Sequence, residues 1–206
     1  MKQKSFYIYV AAYLAILIPA PGRFVFGITL LIELLILMFV GIFTNLLIEK
    51  LKLQPFKTIV LMFVLLTVTV LYRQIFIIFQ PEIILTLGFT LYLPTLSLFL
   101  IGFLLDEANK SLKENLLLLL KELIFFILSG LVYFLIRDIF GYGTFTFFGP
   151  NHQIYEKILF PPDKIGIFTF FATIPGALFG EGIYLYLHFI IKQKIKVISN
   201  AEVQKW

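Results

Sequence analysis

Two carboxylates in this sequence stand where a charge is costly. Glu33 lies in the first half of the apolar run 24–48, and Glu181 lies inside the run 165–191. An ionised carboxylate at such depth costs several kcal/mol unless it is protonated, paired or hydrated, so each needs a partner or a task. On a helix, Thr29, Glu33, Gly41 and Thr44 fall within about 120° of one another, which sets Glu33 on a face of small and hydroxylated residues. Two readings stay open: a relay for a cation or proton, and a neutral glutamic acid bonded to a neighbouring helix. Glu181 follows Thr173, Gly176 and Gly180, a stripe of small residues whose Gly-x-x-x-Gly spacing ordinarily serves close helix packing. It lies about 100° around the helix from Gly180, at the edge of that stripe, where it can face a polar interior.

Much other chemistry is excluded. The chain has no cysteine, which removes disulfides, thiolate catalysis and Cys-ligated zinc or iron–sulfur clusters. Its two histidines, His152 and His188, form no haem pair, and there is no HExxH, P-loop or dinucleotide fingerprint. His188 reads as an interfacial side chain. Lys121, Glu122, Arg137 and Asp138 border the run 116–136 and read as anchors, neutralised locally or snorkelling to head groups.

The elements that must position these groups follow from composition. With 60% hydrophobic and 14% charged residues over 206 positions, the chain has more apolar surface than a soluble domain of its length can bury. The apolar residues come in runs of about 20, the length of a helix crossing roughly 30 Å of hydrocarbon, rather than in alternating strands. This predicts an all-α polytopic membrane protein, a single membrane domain over residues 1–206, with six spans at 6–18, 24–48, 58–79, 82–105, 116–136 and 165–191. The first run reads as retained rather than as a cleaved signal, because it passes through Pro19-Ala20-Pro21-Gly22-Arg23 directly into the next.

Six crossings put both termini on one side, which collects Lys2, Lys4, Lys50, Lys52, Lys57, Lys110, Lys113, Lys192, Lys194, Lys196 and Lys205. The other side receives Arg23, Arg73, Arg137, Lys157 and Lys164. By the positive-inside rule the termini are cytoplasmic, in a bacterial-type inner membrane, and the loop 138–164 faces outward. The net charge of +5 is then a topological signal. No region outside the bilayer is long enough to present a surface for nucleic acid. The first run is interrupted at Pro19 and Pro21 and the fourth at Pro94, so the first and fourth helices are expected to be broken. Three spans followed by three of opposite sense, with matching breaks, is the pattern of an inverted 3+3 repeat with halves of about 1–80 and 81–206.

Several segments carry a family resemblance. Ile136-Arg137-Asp138-Ile139-Phe140-Gly141-Tyr142-Gly143-Thr144-Phe145 is similar to the Arg-Glu-x-x-Gly-x-Gly-Thr segment that closes the fifth helix of the small D/E-type membrane subunits of Rnf and Nqr complexes. Thr44-Asn45-Leu46-Leu47-Ile48 resembles the Ser-Asn-Leu-Leu-Ile of that family, Asp106-Glu107-Ala108 its Ala-Glu-Ala, and Pro175-Gly176-Ala177 adds a weaker match. The resemblance implies a complex that passes electrons between ferredoxin or NADH and quinone or NAD, and couples that flow to export of Na⁺ or H⁺. In the family each member of a paralogous subunit pair supplies two cysteines from its broken helices to one [2Fe–2S] cluster. Here Ile18 and Leu100 stand at those positions, and neither offers a lone pair to iron. A Ser-Gly-Ala-Thr flavin attachment site is also missing.

The expectation is therefore a cofactor-free membrane subunit. Flavin or iron–sulfur would reside on partner subunits, and one partner would be a paralogous small subunit. Glu33 and Glu181 are candidates for an ion path, with Asn45, Glu107, Arg137, Gly141, Gly143 and Thr144 as motif residues holding helix ends. The alternatives are a stand-alone secondary transporter or channel built on the same repeat, and an assembly or structural membrane protein.

Overall fold

Leucine, isoleucine, methionine and phenylalanine fill residues 24–50 without a proline, and the chain answers with one long helix. This computed structural model describes residues 16–97, 112–150, 152–161, 166–184, 186 and 190. Helix α1 (Phe24–Lys50) is its axis and buries residues along its length, from Val25 and Phe26 to Thr44 and Ile48. It ends in a Schellman turn: Lys52 sits at φ 55°, its N–H donates to Glu49 O, and Leu53 N–H donates to Ile48 O. Helix α2 (Lys57–Phe79) returns antiparallel and buries only Leu61, Leu65, Thr69 and Tyr72, one stripe at helical spacing. Its outer face of Ile59, Phe63, Leu71, Ile75 and Ile78 is exposed, as suits a helix surrounded by lipid.

The fourth apolar run is interrupted, but not where the proline suggests. Helix α3 (Pro81–Leu87) stops at Gly88, whose φ of 50° L-residues rarely adopt. A 3₁₀ stretch Gly88–Tyr92 follows, then a single turn α4 (Leu93–Leu96) that ends at the extended Ser97. Pro94 sits in the first turn of α4, where its missing N–H has no cost. The break expected at Pro94 therefore moves to Gly88.

Helix α5 (Leu112–Ile136) packs across α1 through two notches. A Cβ on Gly27 would stand 2.2 Å from the Phe134 ring, and one on Gly130 would stand 3.1 Å from Leu31. Each glycine admits a large side chain of the other helix. Helix α5 then widens into a π-helical turn, Arg137–Tyr142.

The loop expected after the fifth run carries the departure from an all-α chain. Strands β1 (Thr144–Phe148) and β2 (Ile154–Ile158) form an antiparallel hairpin that pairs Thr144 with Ile158 and Phe148 with Ile154. The alternation Thr-Phe-Thr-Phe explains it: Thr144 and Thr146 point inward and are buried, while Phe147 is exposed. The hairpin lies over the end of the bundle where α1 begins and α2 ends. Gln80 Nε2 donates to Gly149 O (3.1 Å), His152 Nδ1 to Phe79 O (2.6 Å) and Ile154 N–H to Glu82 Oε2 (3.0 Å).

The last run also breaks, which its composition as a single span from residue 165 did not suggest. A 3₁₀ segment, Gly166–Ala172, precedes a helix that begins after Thr173. Thr173 Oγ1 caps it by accepting from Gly176 N–H (3.2 Å). Gly176 is fixed by its own chain, since a Cβ there would lie 1.9 Å from Phe170 O. Among the described residues, three helices are long and apolar enough to cross a membrane: Phe24–Lys50, Gln54–Phe79 and Leu123–Tyr142. The chain is thus a mainly helical protein of membrane character.

Candidate functional site

The segment that closes α5 sends two adjacent charges in opposite directions. Arg137 is 2% exposed and Asp138 fully buried, so neither snorkels to head groups as its place at the end of an apolar run suggested. The Arg137 guanidinium reaches the broken stretch before α1. Its Nη1 donates to Ala20 O (3.0 Å) and Leu17 O (3.2 Å). Longer contacts of 3.4 Å run from Nε to Phe171 O and from Nη2 to Ala172 O. Carbonyls at helix ends carry partial negative charge, so a cation placed among them satisfies groups that the broken helices leave open. Arg137 also lies over the rings of Tyr133 and Phe134. Gly22 leaves it room, since a Cβ there would come within 2.9 Å of Nε.

Asp138 does the reverse job at the start of α1. Arg23 offers that helix no side-chain cap. Instead Asp138 Oδ2 accepts from Phe24 N–H (3.1 Å), Thr146 N–H (2.7 Å) and Thr146 Oγ1 (2.7 Å), and Oδ1 accepts from Thr144 Oγ1 (2.8 Å). A carboxylate among N–H donors at a helix N-terminus is favourable on charge and on hydrogen bonding. Thr146 Oγ1 also accepts from Val25 N–H (3.3 Å). Gly141 lets Ala172 approach, with a Cβ there 2.8 Å from Ala172 N. Gly143 turns the chain at φ 67°, and its carbonyl accepts from Leu159 and Phe160 N–H. Arg137, Asp138, Gly141, Gly143, Thr144 and Thr146 thus tie together the breaks at residues 17–24 and 171–173 and the root of the hairpin. At the rim, Arg23 pairs with Glu156 (2.8 Å) and covers the Tyr142 ring.

Glu33 is 1% exposed on α1 and faces hydroxyls from two other elements. Thr69 of α2 turns its hydroxyl towards the carboxyl and is hydrogen-bonded to Thr95 of α4. Tyr72 OH donates to Thr29 O (2.8 Å) one turn away. Thr44 and Gly41, expected on the same face, are buried as well. Neither Glu33 oxygen completes a hydrogen bond among the described residues. Glu181, 2% exposed, is in the same condition but lies elsewhere, near Tyr133 of α5, whose hydroxyl donates to Ala177 O (2.8 Å). The two carboxylates proposed together from sequence occupy separate surroundings. Beside Arg137, a cavity of about 330 Å³ opens between Tyr133, Ile136, Phe140, Phe171, Gly180 and Tyr184.

Asn45 is half-buried near the far end of α1. Glu107, Leu100 and His188 lie outside the described residues. Thr69, Thr95, Asp138 and Thr146 were missed by the reading from sequence, and their signal is a hydroxyl or carboxyl within or beside an apolar run. Ile18 is 4% exposed, so the position matched to a cluster cysteine presents a buried aliphatic side chain. Among the described residues no three His, Asp or Glu side chains gather to hold a metal. These residues do not fit an iron–sulfur cluster. No protein-family model matches the chain, and no curated protein and no solved structure is significantly similar to it.

Proposed function

We propose that this chain is a cofactor-free membrane subunit of an Rnf/Nqr-like complex that couples electron transfer to Na⁺ or H⁺ export. Its partners would be a paralogous small subunit and the subunits that carry flavin or iron–sulfur. One observation carries the reading. The segment with the most specific resemblance, Arg137 to Thr144, physically grips the stretch that contains Ile18, with Arg137 bonded to Leu17 O and Ala20 O on either side of it. The residues that resemble the family thus converge on the place where the family binds its cluster, although about 120 residues separate them in the chain. The break is kept while its ligand is not, which is the condition of a scaffold.

In this reading the described helices belong to six crossings arranged as a 3+3 repeat. Lys50, Lys52 and Lys57 cluster at the end of the bundle opposite the hairpin, which places that end in the cytoplasm and the hairpin outside. Glu33 and Glu181 serve the ion path. Replacing each by glutamine keeps shape and removes charge. Ion transport by the assembled complex should fall in the Glu33→Gln variant, and transport unchanged in both variants would remove the ion-path role.

A second reading, a self-contained secondary transporter, draws on the position of Glu33 beside the broken segment Pro81–Leu96 within one chain. Purified protein in liposomes separates the two. Ion or solute flux without partners supports the transporter, and flux only with partners supports the subunit.

A further inference from the structure

The surroundings of Glu33 are more specific than an ion path requires. Three elements meet there: α1 brings the carboxylate, α2 brings Thr69, and the one-turn helix α4 brings Thr95. All three side chains are buried, Glu33 to 1% exposure and both threonines completely. The two hydroxyls are bonded to each other, so each has a lone pair left to offer. Both carboxyl oxygens are without a hydrogen bond among the described residues. An orphaned buried carboxylate is costly, and threonine hydroxyls beside it give it no compensating charge. Four oxygens and one negative charge make a hard donor set, suited to a hard monovalent cation and not to a transition metal.

We infer that Glu33, Thr69 and Thr95 form a Na⁺ site, and that binding there holds the broken segment Pro81–Leu96 against α1 and α2. Resting on the proposed ion-path role of Glu33, this identifies its ligand and adds two residues to it. The coupling to the segment follows from Thr95. It is on α4, between the break at Gly88 and the extended Ser97, so its hydroxyl reaches Glu33 only while that turn is docked. Losing the cation leaves Glu33 charged and unpaired, and favours either protonation or withdrawal of the segment.

Dicyclohexylcarbodiimide labelling tests the site on the full chain in membranes, because the reagent attacks protonated carboxyls in apolar surroundings. Mass spectrometry then reports Glu33 and Glu181 separately. Na⁺ at constant pH and ionic strength should suppress labelling of Glu33, and K⁺ or choline should not. In a Thr69→Val, Thr95→Val double variant, which removes both hydroxyls without orphaning either, the Na⁺ concentration giving half-protection should rise at least about tenfold. Labelling of Glu181 should be unaffected by the double substitution. Glu33 labelling that follows pH alone and ignores Na⁺ would assign a proton there and overturn the inference. Absence of Glu33 labelling under every condition would overturn it too, as would Na⁺ protection that the double variant leaves unchanged. Loss of transport in Glu33→Gln without Na⁺ protection would sink this site and leave the ion-path reading standing.

Discussion

Arg137 and Asp138 are neighbours in sequence that never pair with each other. One satisfies carbonyls of broken segments and the other satisfies N–H groups at the start of α1. Fork geometry matters for the first, because a lysine offers a single point of charge and cannot span separated carbonyls. Arg137→Lys should cost roughly 2 kcal/mol of stability, read as a lower unfolding temperature in detergent, and Arg137→Met should cost more. An Arg137→Lys protein as stable as the parent would mean the carbonyl contacts contribute nothing. For Asp138, asparagine keeps one acceptor and a similar shape, whereas alanine leaves the donors of Phe24, Thr144 and Thr146 unmet. Asp138→Ala should therefore destabilise by at least about 1 kcal/mol more than Asp138→Asn, and equal losses would contradict the capping role. The sequence placed both residues at a helix end, but it could not tell a buried knot from a snorkelling pair. The deciding groups, carbonyls at 17 and 20 and amides at 24 and 146, are backbone atoms of distant segments. Glu33 was legible from depth alone. Its hydroxyl neighbours were not, because Thr69 and Thr95 are ordinary residues until two helices bring them together.

Long apolar runs announced α1, α2 and α5 closely, since nothing within them competes with the helix. The breaks were harder to read. Pro94 looked like the breaker of the fourth run, yet proline is tolerated in a first turn, and Gly88 at positive φ interrupts the helix instead. The break at Thr173 has a sequence signature, a threonine two residues before Pro175, that the continuous hydrophobicity of the run conceals. The hairpin was read as loop because ten residues of alternating character are a weaker signal than a span. Lys52 offers a clean test of the turn between α1 and α2. It occupies the left-handed position of a Schellman turn and is exposed, so Lys52→Gly should stabilise the protein by about 1 kcal/mol. A fall in unfolding temperature would mean that the lysine side chain contributes more there than its backbone strain costs.

At the scale of the whole molecule, the hairpin closes one end of the bundle and the basic turn Lys50–Lys57 marks the other. The chain contains no cysteine, so single cysteines report orientation without background. In intact cells, Gln153→Cys in the hairpin should react with an impermeant maleimide, and Lys52→Cys should react only after the membrane is opened. The reverse pattern would invert the proposed topology. Membership in a redox-driven complex is the central claim, and purification of the tagged chain from its native membranes in mild detergent tests it most directly. Mass spectrometry would identify accompanying proteins, and the same sample would be assayed for flavin and iron. Recovery of flavin- or iron-carrying redox subunits in stable proportion, with a paralogous small subunit among them, is the predicted result. Recovery of a colourless chain alone, as monomer or dimer, would contradict the claim.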